Sequence, residues 1–76
     1  MVDLVEAIAK SLVDHPEAVE VRQVEGRTAS VIELRVAPED MGKVIGKQGR
    51  IAKSIRIVVK AAALKANIKV AVEIVQ

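Results

Sequence analysis

The sequence predicts an α+β fold with the element order helix, strand, strand, helix, helix, strand. The spacing of the apolar residues leads to this prediction. Over residues 5–13 they recur every three or four positions, as on one face of a helix, and over 19–36 they alternate with polar residues, as in strands. A second helical pattern over 51–66 precedes a final alternating segment, 68–74. At 76 residues the chain has the length of one domain, residues 1–76.

The first half of the chain contains a helix and two strands. The helix ends before Pro16, because the residue that precedes a proline disfavours helical backbone. The strands lie at 19–24 and 30–36, and a short link containing Gly26 joins them. Two neighbouring strands with such a link favour an antiparallel hairpin.

The second half contains two helices and a strand. Pro38 suits a first helical turn, and Glu39 and Asp40 complement the positive end of the helix dipole. We interpret these two acids structurally, because adjacent residues on a helix face different directions and cannot act as a catalytic pair. A longer helix follows the glycine pair and ends at Asn67, which tolerates left-handed backbone. Its predicted core stripe consists of Ile51, Ile55, Val58, Val59, Ala62 and Ala66.

The composition argues against an enzyme and against a metal site. The chain has no cysteine and only one histidine, so it offers no thiol nucleophile and no histidine cluster for a metal ion. We therefore expect no catalytic residue and no cofactor. No apolar run is long enough to span a membrane, and the first residues lack the pattern of a signal peptide. We expect a cytoplasmic protein without a membrane span.

The charges are divided unevenly along the chain. Residues 1–40 hold nine of the ten acids and four of the twelve Lys and Arg residues, whereas 41–76 hold the other eight bases. No acid occurs between Met41 and Val72. This asymmetry indicates that the second half faces a polyanion. Since Phe, Tyr and Trp are all absent, nucleic-acid bases would have to pack on aliphatic side chains instead of aromatic ones.

A glycine pair, Gly46 and Gly49, lies within this basic segment. Glycines let a second chain come close to the backbone, and Lys47 and Gln48 between them are expected to point outward as donors. We expect a groove beside the pair, walled in part by the outer residues of the strand that ends at Val36, together with Ile45 and Ile51. The predicted nucleic-acid-binding residues are Lys43, Ile45, Gly46, Lys47, Gln48, Gly49, Arg50 and Lys53.

The long helix carries a second exposed feature. Ile57, Ala61 and Leu64 lie away from its core stripe. Scattered surface aliphatics are common, but three on one side of a helix predict an interface for a homodimer or for a partner protein.

The segment 42–63, GKVIGKQGRIAKSIRIVVKAAA, resembles the signature of KH domains, V-I-G-x-x-G followed by a basic and aliphatic helix. The element order is similar to the type II, prokaryotic KH fold, and the small size resembles the KhpA family of RNA-binding proteins. The resemblance implies a three-stranded mixed sheet with three helices packed on one face. It places the GXXG loop, which clamps about four single-stranded nucleotides in KH domains, at Gly46–Gly49.

The resemblance also implies a ligand and a biological role. The ligand is single-stranded RNA, bound with low sequence specificity by an RNA chaperone or post-transcriptional regulator that acts in cell elongation and envelope homeostasis. A second KH-containing protein of the KhpB (Jag) type is the implied partner. Two alternatives remain open: a DNA-binding helix-turn-helix, which also uses two helices joined by a short link, and a pure protein-interaction module.

Overall fold

The elements follow the predicted α+β order, except that the two helices predicted for the second half form one helical segment. The computed structural model describes residues 1–75, apart from the side chains of Lys47 and Gln48. Its elements are α1 (Val2–Leu12), a short 3-10 helix (Pro16–Ala18), β1 (Glu20–Glu25), β2 (Ser30–Arg35), α2 (Pro38–Ala66) and β3 (Val70–Val75). No helix among the described residues is long and apolar enough to cross a membrane.

The three strands form one mixed sheet in the order β1-β2-β3. β1 pairs antiparallel with β2, with Glu20 opposite Arg35, and β3 pairs parallel with β2, with Val70 opposite Ser30. A parallel pair needs a long crossover connection, and α2 supplies it. The predicted hairpin, the predicted parallel strand and the predicted type II KH arrangement are all confirmed.

The alternation of side chains along β2 separates a covered face of the sheet from an open one. Ile32 and Leu34 are fully buried beneath the helices, whereas Val31, Glu33 and Arg35 point to the other face, because successive side chains of a strand point in opposite directions. Both long helices therefore pack on the Ile32 side. They contribute Val5, Ala9, Val44, Ala52, Ile55 and Val59 to the common core.

The two helices predicted for the second half form a single helical segment, Pro38–Ala66, and no loop separates them. The segment is nevertheless irregular at Gly49, where φ is +65°. A right-handed helix has φ near −63°, so Gly49 interrupts the regular geometry. α2 thus has an N-terminal part, 38–48, and a C-terminal part, 50–66, and these parts correspond to the two predicted helices.

Both ends of α2 follow the predicted signals. Pro38 occupies the first turn, and Asn67 caps the C-terminus with left-handed backbone, φ 58°. The core stripe of the C-terminal part is narrower than predicted, since Val58 is 41% exposed and Ala66 is exposed. Val58 lies about 100° around the helix from Val59, which is enough to take it out of the sheet contact. The buried residues of this part are Ala52, Ile55, Val59 and Ala63.

Asp40 joins the start of α2 to the turn that follows α1. Its side chain belongs to the core, with 1% exposure. The backbone N–H of Asp14 donates to Asp40 Oδ1 at 3.2 Å, and that of His15 donates to Oδ2 at 3.0 Å. The sequence predicted only a dipole role for Asp40, because these partners are 26 and 25 residues away along the chain.

We predict that Asp40→Ala lowers the free energy of unfolding by about 1–3 kcal/mol, since two part-buried N–H groups lose their acceptor. Urea denaturation followed by circular dichroism measures this change. Glu39→Ala is the matched control: it removes the same charge from the same helical turn, but its exposed side chain should cost at most about 0.5 kcal/mol. Equal losses in the two variants would mean that the helix dipole alone explains Asp40.

Candidate nucleic-acid interface

The backbone of α2 is open to solvent at the glycine pair. A Cβ placed on Gly46 or Gly49 would meet no described atom within 4 Å beyond its chain neighbours and the adjoining helix backbone, so a second chain has room to approach at both positions. The two glycines differ in their backbone conformation. Gly49 has a left-handed φ that side chains rarely adopt, whereas Gly46 does not. The backbone geometry therefore favours glycine at 49 but not at 46.

Apolar side chains flank the glycine pair on both sides. Ile45 is 50% exposed although the adjacent Val44 is fully buried. Ile51, two residues after Gly49, is half-buried against the core. That Ile45 and Ile51 form aliphatic walls of a groove stays a prediction. Lys47 and Gln48 lie between the glycines, and their side chains fall outside the described part of the structure.

Exposed basic residues continue along the C-terminal part of α2. They follow one another at three- or four-residue steps, which keeps them on the solvent side of the helix. None of them pairs with an acid among the side chains that the structure describes. These residues are Arg50, Lys53, Arg56 and Lys60.

Lys43 differs from the other predicted basic residues. Its Nζ lies 3.0 Å from Oδ1 of Asp14, in an exposed ion pair that links α2 to the end of α1. The sequence placed Lys43 among the phosphate-binding residues and did not reveal this acidic partner, which is 29 residues away along the chain.

A groove of about 350 Å³ lies between the C-terminal part of α2 and the edge strand β3. Its floor is aliphatic, and two of the exposed basic side chains lie beside it. The lining residues are Arg56, Val59, Lys60, Val70, Ala71 and Val72. The sequence did not reveal the contribution of β3, because nothing along the chain shows which flank of α2 the last strand meets.

Comparison with known proteins identifies the family. The family model described as KhpA/KhpB, KH domain matches residues 2–74. The chain belongs to the KhpA/KhpB KH-domain family. The assignment of the GXXG loop to Gly46–Gly49 stays a prediction, and the backbone of these residues belongs to α2.

Relatives in this family match over nearly their whole length. The RNA-binding protein KhpA of Clostridium perfringens is 68% identical over 75 residues, which cover 99% of this chain and 100% of the relative. The protein of the same name from Caldanaerobacter subterraneus subsp. tengcongensis is 64% identical with the same coverage. That of Aquifex aeolicus is 49% identical over 74 residues, 97% of this chain and 94% of the relative. No solved structure matches the chain significantly.

The prediction that the outer residues of β2 form a wall of the groove is wrong. The outer residues of β2, Val31 and Glu33, lie on the open face of the sheet, away from both helices. Val36, at the end of that strand, is itself buried. Val36 and Arg35 instead line a separate cavity of about 340 Å³, together with Pro38 and Met41. The strand beside the basic helix is β3.

The predicted interface residues are exposed on the C-terminal part of α2. Ile57 is 59% exposed and Leu64 is 72% exposed, with the exposed Ala61 between them. Val58, which the sequence assigned to the core, extends this apolar surface. We call Ile57, Val58, Ala61 and Leu64 the apolar patch of α2.

The different geometries of the two glycines lead to a prediction about stability. Gly49→Ala should lower the free energy of unfolding by about 1–2 kcal/mol, because a Cβ disfavours left-handed backbone. Gly49→Asn should cost less, as Asn tolerates this region. Gly46→Ala should leave stability unchanged or raise it by up to about 1 kcal/mol through helix propensity.

Thermal and urea unfolding of the three variants checks the order. A Gly46→Ala variant as unstable as Gly49→Ala would contradict the assignment of the left-handed residue.

Proposed function

We propose that this chain is a single-stranded-RNA-binding module without enzymatic activity, and that the glycine pair contacts the RNA backbone. One observation carries the proposal: open backbone at Gly46 and Gly49 lies next to Arg50 and Lys53, exposed bases without an acidic partner among the described side chains. Family membership and the relatives' name, RNA-binding protein KhpA, support the same ligand.

The proposed contact begins at the phosphates. With no Cβ at Gly46 or Gly49, a sugar-phosphate backbone can lie directly against α2. Arg50 offers a planar fork of donors that matches phosphate geometry, and Lys53 adds a mobile point charge. Lys47 and Gln48 supply further donors in this proposal. Such contacts position the strand without reading its bases, which agrees with low sequence specificity.

The groove between α2 and β3 is the proposed place for the bases. Arg56 is seven residues after Gly49, about 10 Å along the helix axis, so one strand can pass from the glycine pair into the groove. Val59 and Val70 provide apolar surface there. Stacking on an aromatic residue contributes about 1–3 kcal/mol per base in other single-strand binders. This chain has no aromatic residue, so phosphate contacts must supply a larger share of the affinity.

Duplex DNA is the competing ligand, and the burial of α2 argues against it. A recognition helix places its first residues against base edges in the major groove. In the C-terminal part of α2, Ala52 is buried and Ile51 is half-buried, so these positions face the core. The proposed biological role is that of a cytoplasmic RNA chaperone or post-transcriptional regulator, with the family functions in cell elongation and envelope homeostasis.

We predict that Lys47→Asp/Gln48→Asp weakens RNA binding by about tenfold or more, since each charge-assisted hydrogen bond contributes about 1.5–3 kcal/mol. Fluorescence anisotropy with a labelled single-stranded RNA measures the affinity, and unlabelled duplex DNA serves as competitor. Arg27→Asp/Thr28→Asp is the matched control: it makes the same charge change on exposed residues of the β1–β2 turn.

Two results would contradict the proposal. One is undiminished affinity in the Lys47→Asp/Gln48→Asp variant while its circular dichroism matches the parent. The other is duplex DNA that displaces the RNA more effectively than unlabelled single-stranded RNA does.

The proposal includes a protein interface at the apolar patch of α2. Single exposed aliphatic residues are ordinary, but here Ile57, Val58 and Leu64 are all more than 40% exposed on one helix. A small domain buries a limited core, so covering this patch would stabilise it. A homodimer is the proposed occupant, and a second KH-containing protein of the KhpB (Jag) type is the proposed partner for the same surface.

We predict that Ile57→Glu/Leu64→Glu shifts sedimentation from dimer to monomer, because two carboxylates would face each other across the contact. Leu12→Glu/Ile68→Glu, on exposed aliphatics outside the patch, is the control and should sediment like the parent. Identical sedimentation of the folded patch variant and the parent would remove the patch from any self-association.

A further inference from the structure

The N-terminal part of α2 carries a lysine, Lys43, whose ammonium group is already paired with a carboxylate. Lys43 lies three residues before Gly46, next to the proposed RNA contact. Its Nζ is 3.0 Å from Asp14 Oδ1, and both side chains are exposed to solvent. Arg50 and Lys53, on the other side of the glycine pair, have no such partner among the described side chains. An approaching phosphate therefore finds the ammonium group of Lys43 already paired with a carboxylate.

The position of Asp14 is held by α2 itself. Its backbone N–H donates to the buried carboxylate of Asp40 at 3.2 Å, and the neighbouring His15 N–H donates to the same carboxylate at 3.0 Å. Asp40 and Lys43 are one helical turn apart in α2. α2 thus holds the backbone of Asp14 through Asp40 and pairs with its side chain through Lys43.

We infer that Asp14 is a built-in counter-ion of Lys43, which an RNA phosphate must displace, and that Asp14 thereby limits the affinity for RNA. The inference rests on the proposed function. Asp14 acts in two ways: its carboxylate competes with the phosphate for the same Nζ, and its negative charge repels the phosphate. Asp40 is a positioning residue in this scheme, because it acts on the RNA only through Asp14.

The salt dependence of binding reports this exchange. Each phosphate neutralised on a single strand releases counterions and steepens the slope of log K against log salt by about 0.7. When a phosphate takes Lys43 from Asp14, the released carboxylate attracts cations from solution. This uptake offsets the release from the RNA. Without the carboxylate at position 14, the offset disappears and the full slope for Lys43 returns.

The test compares Asp14→Asn with the parent in RNA binding across a salt series. We expect the affinity at low salt to rise about twofold to fivefold, the range that exposed ion pairs support, and the slope to steepen by up to about 0.7. Glu6→Gln is the matched control: it also removes one negative charge and also frees an exposed lysine, Lys10, whose Nζ lies 2.8 Å from Glu6 Oε1 on α1.

A Lys43→Gln background completes the design. In that background Asp14→Asn should lose most of its gain, because no lysine remains to be released. Asp14→Ser provides a second neutral side chain if Asp14→Asn melts lower than the parent. Equal gains from Asp14→Asn and Glu6→Gln would overturn the inference in favour of net charge, as would a gain that persists without Lys43. A parent protein that binds no single-stranded RNA at low salt would overturn the proposed function itself.

Discussion

The left-handed backbone of Gly49 is the constraint on which the arrangement of α2 depends. Residues on both sides of it belong to one helical segment, yet a right-handed helix cannot pass through φ +65° without an interruption. The N-terminal part of α2 can therefore leave β2 and bury Val44, while the C-terminal part buries Ile55 and returns the chain to β3. The open space at this interruption is also where the proposed RNA contact lies, so one residue connects the fold with the ligand site.

Asp40 makes a second connection between stability and charge. A buried carboxylate needs hydrogen-bond partners to offset its loss of water, and the N–H groups of Asp14 and His15 provide them. The same contacts hold the Asp14 side chain within reach of Lys43. The division between an acidic first half and a basic second half is thus not a simple separation of charge in space. Lys43 of the basic second half pairs with Asp14 of the acidic first half. In the proposed RNA contact, the Asp14 carboxylate competes with phosphate for this lysine.

The lack of aromatic residues gives the proposed binding surface its character. Exposed Lys and Arg side chains and open backbone favour contacts to phosphate. The aliphatic groove beside Val59 offers apolar contact but no aromatic ring on which a base could stack. Contacts of this kind depend strongly on salt and weakly on sequence. The apolar patch of α2 is built from other residues of the same C-terminal part.

The sequence by itself determined the order of helices and strands apart from the continuity of α2, the ends of α2 and the family, because periodicity, Pro38, Asn67 and the glycine pair are local signals. Only the tertiary structure decided that β3 walls the groove, that Val58 is exposed and that Lys43 faces Asp14. These features depend on which flank of a helix meets a strand or turn many residues away. Local spacing places a side chain on a face of its own helix, but packing alone decides what lies opposite that face.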